Sequence, residues 1–233
     1  MRGFWGRWHP GRGPRVERQE MILLTLGRAE ENHQVLNAVE LFHELDGDPS
    51  PCLRHLTQQG LIEIDRGSHI ALTDAGREQA QTLMRRHRLA ERLFTDVLDL
   101  DWARAHEEAD RLEHVIDPEA EEQLANMLGD PSTCPHGNPI PGAHGHAARS
   151  SACPLSECEP STEATIDRIA SETPAMLQHL ATLGLLPDVE IGIENRAPFD
   201  GPVMICVGRA HYALGRGLAG RIWVRRHGRM RGR

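Results

Sequence analysis

His106, Asp110, Glu113 and His114 fall at i, i+4, i+7 and i+8. At about 100° per residue, this spacing confines two imidazoles and two carboxylates to an arc of roughly 100° on one helix face. Upstream, His87 and Glu91 stand one turn apart at i and i+4. Such donors suit a divalent first-row ion (Mn²⁺, Fe²⁺, Co²⁺, Ni²⁺ or Zn²⁺) without choosing sharply among them. A solvated acidic helix paired with Arg104 and Arg111 would carry the same stripe, so that alternative stands beside the metal site. A His/carboxylate site with an open position also activates water, which makes a metal-dependent hydrolase a further alternative. No HExxH, GxSxG or Walker motif supports it.

Cys134-Pro-His136, with His144, His146, Cys153 and Cys158, loosely resembles a thiol/imidazole site but follows no standard spacing. Its composition is that of a flexible linker, and the role of these residues is left open. Cys52 and Cys206 lie in apolar contexts and read as buried small hydrophobes.

The elements that must position these donors follow from periodicity and punctuation. Helices are expected over 16–28 and Val35–Leu45, the second ending at the turn Asp46-Gly47-Asp48. Asp48-Pro49 looks like an N-cap with proline in the first turn, starting a helix that stops at Gly60. Leu61–Ile64 and His69–Leu72 make a small hairpin around Arg66-Gly67-Ser68, and Thr73-Asp74-Ala75-Gly76 opens the next helix. Helix, helix, turn, helix and two-stranded wing is the order of a winged helix-turn-helix. Its major-groove element would be 49–59, with Pro49, Ser50, Arg54, Arg66, Ser68 and Arg77 as candidate DNA contacts. From Ala29 to Gly60, however, Arg54 stands alone against Glu30, Glu31, Glu40, Glu44, Asp46 and Asp48. Duplex affinity draws heavily on phosphate neutralisation, so Arg66, Arg77, Arg85 and the arginine-rich amino-terminal arm would have to help. A module used for protein contact is the alternative.

Thr73 to Leu128 is helical in character, with breaks near Leu100-Asp101 and Asp117, hence three helices. Residues 129–160 are rich in Pro, Gly, His and Ser and lack periodicity, which predicts a linker or long ordered loop. Strand-like pieces follow at 164–169, 189–194, 203–207 and 221–224, with a short helix at 174–182 and a helix or turn at 214–219. A small barrel would remove their exposed edges. The basic tail from Arg225 reads as loose.

The 233 residues carry a net charge of −8, with 39% hydrophobic and 26% charged residues, as expected of a globular chain. The charge is uneven: residues 1–88 are neutral, 89–160 carry −11, and 161–233 carry +3. No apolar run of membrane-spanning length and no signal-peptide core is present, and five scattered cysteines form no secreted disulfide framework. The cytoplasm is the expected compartment, with no membrane partner.

His87-Arg-Leu-Ala-Glu91-Arg-Leu, His106-Glu-Ala and Arg111-Leu-Glu113-His114-Val resemble the diphtheria-toxin-repressor family of iron- and manganese-dependent transcriptional regulators. Cys134-Pro-His-Gly-Asn-Pro-Ile-Pro-Gly142 is similar to the family's segment after the dimerisation helices. Leu177–Pro187, Arg196–Val203, Ala213-Leu-Gly and Leu218-Ala219 look like its SH3-like, FeoA-type barrel. The resemblance covers residues 19–226. It implies a mainly α chain with a β-rich C-terminal module. A basic arm (1–18) precedes a winged helix-turn-helix (19–84) and a helical metal-binding and dimerisation domain (85–130). A linker (131–160), an SH3-like domain (161–226) and a basic tail (227–233) follow.

It further implies a homodimer that binds Mn²⁺ or Fe²⁺, two ions per subunit, and then a palindromic operator, acting by repression and without an organic small-molecule substrate. By position, His87, Glu91 and His106 match one metal site, completed by a carboxylate of the third domain, for which Glu172 is the candidate. Met21, Asp110, Glu113 and His114 match the other. A further donor there would fall near Ala175, which has none, so water would complete that site. Iron-type members carry cysteine where this chain has Asp110, a harder donor better suited to Mn²⁺, whereas Met21 is the soft, iron-type choice. Manganese is placed ahead of iron. The helix-turn-helix is about three residues shorter than usual, so a metal sensor or interaction adaptor that has lost ordinary DNA binding is the alternative.

Overall fold

The structure, a computed structural model, describes residues 13–45, 48–142, 151–170 and 173–229. The chain divides into two compact units, one of residues 1–86 with 112–118, the other of 87–111 with 119–233. No helix among the described residues is long and apolar enough to cross a membrane.

In the first unit, helix α1 (Pro14–Glu31) has proline in its first turn and buries Ile22, Leu23, Leu24 and Leu26. The helix expected from Val35 starts instead at Ala38, because Leu36 and Asn37 form strand β1 (Leu36–Asn37). These two residues pair with Ile70 and His69. Asn37 then caps α2 (Ala38–Leu45): its Oδ1 accepts from Val39 N (2.9 Å) and Glu40 N (3.1 Å), and Glu40 Oε2 accepts from Asn37 N (2.8 Å). That reciprocal box stabilises the start by about 1 kcal/mol. Helix α3 (Ser50–Gln58) follows, Asp48 Oδ1 accepting from Ser50 N at 2.9 Å. Strands β2 (Ile62–Ile64) and β3 (His69–Leu72) form the wing, and the sheet order is β1-β3-β2.

Helix α4 (Asp74–Arg92) starts where the backbone of Leu61 passes so close to Gly76 that a Cβ there would lie 1.9 Å from the Leu61 carbonyl oxygen. Only glycine tolerates that approach. Leu41, Leu56, Ile62, Ile70, Leu72, Ala80 and Leu83 complete the apolar core of this winged helix-turn-helix. Helix α4 runs on into a π-helical turn at Leu93–Val97, which periodicity did not predict. Helices α5 (Trp102–Leu112) and α6 (Pro118–Met127) follow, and Pro118 opens α6.

The stretch from 131 to 160 is ordered over its described residues, and a solvated linker is not what the structure contains there. Cys134, His136, Asn138 and Ile140 are buried, and Ile140 packs in a cluster with Leu89 and Ala125. Strand β4 (Cys153–Pro154) and a 3₁₀ turn (Leu155–Glu157) then lead into β5 (Thr162–Ile169). Backbone bonding and burial order this segment without any hydrophobic period, so a pattern search has nothing to detect. His144 and His146 lie outside the described residues.

The second unit continues with α7 (Pro174–Leu183), β6 (Glu190–Arg196), β7 (Val203–Val207), β8 (Ala210–Leu214), α8 (Arg216–Ala219) and β9 (Ile222–Arg229). The antiparallel sheet has the order β4-β9-β5-β6-β7-β8, so the last strand inserts between the first two. Among the described residues its ladder ends at β4 and β8 rather than closing by hydrogen bonds. Edge β4 is limited by its length of 2 residues. Bulges at Glu163/Ala164, Ile166/Arg168 and Ile193/Asn195 bend this SH3-like module around Ile166, Leu177, Ile193, Ile205 and Ile222. Arg225 and Arg226, expected in a loose tail, pair with Thr165 and Ala164. Strand β8 went unpredicted because most of its residues are exposed and carry no apolar alternation.

Candidate metal centre

Within the second unit, the last turns of α4 carry His87 and Glu91, and α5 carries His106 and Asp110. The i, i+4 spacing puts each pair on one face of its helix. His87, Glu91 and His106 are 0–2% exposed. Glu91 Oε1 lies 2.8 Å from His87 Nε2 and 2.8 Å from His106 Nδ1, and those two nitrogens are 3.1 Å apart. Asp110 Oδ1 is 3.3 Å from His87 Nδ1, and its Oδ2 is 4.0 Å from His106 Nε2.

A fifth residue enters from the loop after α6. His136 Nδ1 approaches Glu91 Oε1 at 3.2 Å, and Cys134 Sγ lies 3.7 Å from the same ring nitrogen. Several bonds hold this loop. Arg88 donates to the Pro139 carbonyl, and Arg92 Nε donates to Thr133 O at 2.7 Å. Ile169 N donates to His136 O at 2.9 Å, and Asn138 Nδ2 donates to Ile169 O at 2.7 Å. At Gly137, with φ at +85°, a Cβ would meet the Asp167 carbonyl oxygen at 2.2 Å. Sequence reasoning singled out Cys134 and His136 without joining them to His87 and Glu91; their signal was the Cys-Pro-His tripeptide, and the contact spans 45 residues of chain that spacing rules do not bridge.

Electrostatics match the geometry. Burial works to raise the Glu91 carboxyl, but the His136 and His87 imidazoles, with hydrogen bonds from His106 and His136, outweigh it and hold the carboxyl well below the ordinary carboxylate range. Glu91 Oε2 is buried and accepts no hydrogen bond. Two overlapping groups, His87 with His106 and Asp110 and Glu91 with His106 and His136, each bring three donors together, and nitrogen and oxygen donors of this kind suit a divalent cation. The residues fit such an ion.

Helix α5 ends at Leu112, so Glu113 and His114 lie in the turn that follows it, in the first unit. Pro118 opens a new helix six residues on. There, His114 Nδ1 lies 2.8 Å from Glu20 Oε2, and Glu113 Oε1 is 3.6 Å from His114 Nε2. Burial opposes the charged imidazole, but Glu20, Glu113 and Glu17 outweigh it and raise the His114 pKa. Met21, next to Glu20 on α1, is half-buried against the first unit's core. Asp110 lies beside His87 and His106. Glu20, the partner of His114, was not singled out from the sequence. Glu172 lies outside the described residues.

Of the expected DNA contacts, Ser50, Arg54, Arg66 and Ser68 are exposed. Pro49 is buried at the start of α3, where its ring packs inward instead of facing outward. Arg77 is held by Glu30 (2.7 and 2.8 Å) and Asp74 (2.8 Å), so its charge is already matched.

Two family models match the chain: "Iron dependent repressor, metal binding and dimerisation domain" over residues 73–142 and "FeoA domain" over 153–226. The iron-dependent repressor IdeR of Mycobacterium tuberculosis is 38% identical over 130 residues, 54% of this chain and 56% of that protein. The diphtheria toxin repressor of Corynebacterium diphtheriae is 37% identical over 130 residues, 54% of this chain and 58% of that one. The match thus spans little more than half the length of these curated relatives. A solved structure described as a manganese-dependent transcriptional repressor in complex with manganese superposes with a TM-score of 0.81 at 31% identity. That superposition covers 90% of this chain and 100% of the other.

Proposed function

The chain belongs to the diphtheria-toxin-repressor family of metal-dependent regulators, and from that premise we propose that it is a metal-responsive, DNA-binding transcriptional repressor of manganese or iron homeostasis genes. The observation that carries this reading is the Glu91 carboxylate, buried among His87, His106 and His136 with one oxygen accepting no hydrogen bond. His87, Glu91 and His106, with His136, would hold one ion, while Asp110 faces the other ring nitrogens of His87 and His106. Met21, Glu113 and His114, with Glu20 beside them, would hold a second. A bound divalent cation would supply the positive charge that balances these carboxylates.

The chain's own residues then couple metal to DNA. His114 and Glu20 tie α1 of the DNA-binding module to residues 112–118, the segment that follows the metal-binding helix. Ordering that tie orders the module that carries α3 and the wing. Whatever binds the ordered form raises the affinity of the other ligand by the same factor. Oxygen and nitrogen donors predominate, which favours manganese ahead of iron, while Cys134 and Met21 keep a soft component. Val97, Leu98 and Met127 are exposed apolar residues in or beside the region matched as a dimerisation domain, in keeping with a homodimer on a palindromic operator in the cytoplasm.

One observation favours a second reading. Val39 (65% exposed) and Phe42 (47%) lie one turn apart on α2, in a helix-turn-helix poor in positive charge. A metal sensor that contacts protein through this face is the alternative. The test is selection of genomic fragments by the metal-stripped full chain under anaerobic conditions, with no metal, with Mn²⁺ and with Fe²⁺. Enrichment of one palindromic sequence in metal alone is the expected result. A folded dimer that binds metal and enriches nothing would overturn the DNA-binding reading in favour of the adaptor.

A further inference from the structure

Cys153 and Cys158 take no part in the metal centre, yet their Sγ atoms lie 3.4 Å apart. Cys153 sits on the edge strand β4, opposite Val224 of β9, and is half-buried. The 3₁₀ turn buries Leu155 completely and returns the chain so that Cys158, 1% exposed, comes back against Cys153. Among the described residues, no histidine or carboxylate joins the two sulfurs in a three-donor cluster, so a metal site is not what this pair builds. We propose that Cys153 and Cys158 are a redox-active dithiol that closes to an intramolecular disulfide by exchange with a low-molecular-weight disulfide.

Accessibility and chemistry assign the two roles. Cys153 is the sulfur a reagent can reach, so its thiolate attacks the incoming disulfide; one thiolate leaves and a mixed disulfide remains. Cys158 then attacks the Cys153 sulfur, the protein S–S bond forms and the second small thiolate departs. Two electrons pass from the protein to the small disulfide, and the two protons released by the cysteines are taken up by its two thiolates. Burial, a hydrogen bond to Cys153 and the charge of Cys153 push the Cys158 thiol up to about 12, while Arg226 and Arg196 pull the other way. Burial, the largest of these causes, persists in the mixed disulfide, so the second step rests on the 3.4 Å approach of the two sulfurs. In a reducing compartment the open dithiol is the resting form. The closed form staples β4 and the 3₁₀ turn at the edge of the sheet.

The reduced, metal-free full chain is treated with glutathione disulfide, quenched in acid, alkylated and mapped by peptide mass. The expected product has lost two hydrogens on the peptide joining Cys153 and Cys158, with Cys52, Cys134 and Cys206 still alkylated, and dithiothreitol reverses it. Cys158→Ser is expected to trap glutathione on Cys153, and Cys153→Ser to leave Cys158 alkylatable. A stable glutathione adduct on Cys153 of the unsubstituted chain, an intermolecular bridge through Cys153, or no reaction at either cysteine would each overturn the proposal.

Discussion

His114 Nδ1 lies 2.8 Å from Glu20 Oε2 although 94 positions separate the two residues. Glu20 belongs to α1, ahead of the helix-turn-helix, and His114 to the turn after α5. Both are largely buried, with side chains 6% and 13% exposed, so solvent screens the pair weakly. Glu113, fully buried, adds negative charge 3.6 Å from the other ring nitrogen. Both carboxylates favour a proton on the His114 ring.

That relationship has a definite pH sign. The folded imidazole is raised above its ordinary value of 6.5, so the stability it contributes is full below that value and is lost as pH rises through the raised value. Glu20→Gln removes the partner charge. The metal-free variant is expected to be less stable than the parent by about 1–2 kcal/mol near pH 6, and by much less near pH 9. Urea denaturation at the two pH values checks this. An equal deficit at both would assign the contact a packing role alone.

Glu91 carries the opposite sign. Its carboxyl is held below the ordinary 4.5, so its contribution is present above that value and is lost as pH falls through the lowered one. Glu91→Gln leaves three imidazoles around a neutral oxygen. Removing one partner of a buried charge cluster costs roughly 3 kcal/mol or more. The metal-free variant should therefore melt lower than the parent at neutral pH and lose that difference in strong acid. Its affinity for Mn²⁺, measured by calorimetry, should fall by about 100-fold or more, equal to about 2.7 kcal/mol.

The winged helix-turn-helix was legible because its signals are local: turn residues at Asp46–Asp48, a wing of alternating apolar residues, and a helix opening at Thr73-Asp74. His87 and Glu91 were legible for the same reason, being one turn apart on α4. The end of the next helix was not. A helical wheel assumes that the helix continues, and α5 stops at Leu112, between Asp110 and Glu113. Burial of His136 was invisible too, since it depends on backbone bonds from Ile169 and on the close passage of Gly137 against Asp167. Tertiary contacts of that kind leave no periodic trace in the chain.

Gly137 tests whether the His136 loop belongs to the metal centre. A Cβ at this position would collide with the Asp167 carbonyl oxygen, and its φ of +85° is one that L side chains rarely adopt. Gly137→Ala is expected to cost about 2–4 kcal/mol and to unseat His136. If His136 is a donor, the variant should also bind Mn²⁺ more weakly than the parent, by a loss that His136→Asn already contains. Measured affinities for the two single variants and the double variant decide this. Fully additive losses would separate the loop from the site, whereas a double variant no weaker than the worse single one would join them.

Arg54, Arg66 and Arg77 were expected to act alike on DNA, and the structure separates them. Arg54 and Arg66 are exposed on α3 and between the strands of the wing. Arg77 is committed to Glu30 and Asp74 by bonds of 2.7–2.8 Å. Phosphate contacts declare themselves in salt dependence, since each one lost reduces the slope of log affinity against log salt by about 1. Arg54→Ala and Arg66→Ala should each flatten that slope in metal-loaded protein while leaving the thermal midpoint unchanged. Arg77→Ala should leave the slope alone and lower stability by ~0.5 kcal/mol, the scale of a half-exposed ion pair. Binding isotherms at several salt concentrations, set beside melting curves of the same preparations, distinguish the two behaviours. A slope reduced as much by Arg77→Ala as by Arg66→Ala would mean that Arg77 leaves Glu30 and Asp74 for phosphate when DNA is present.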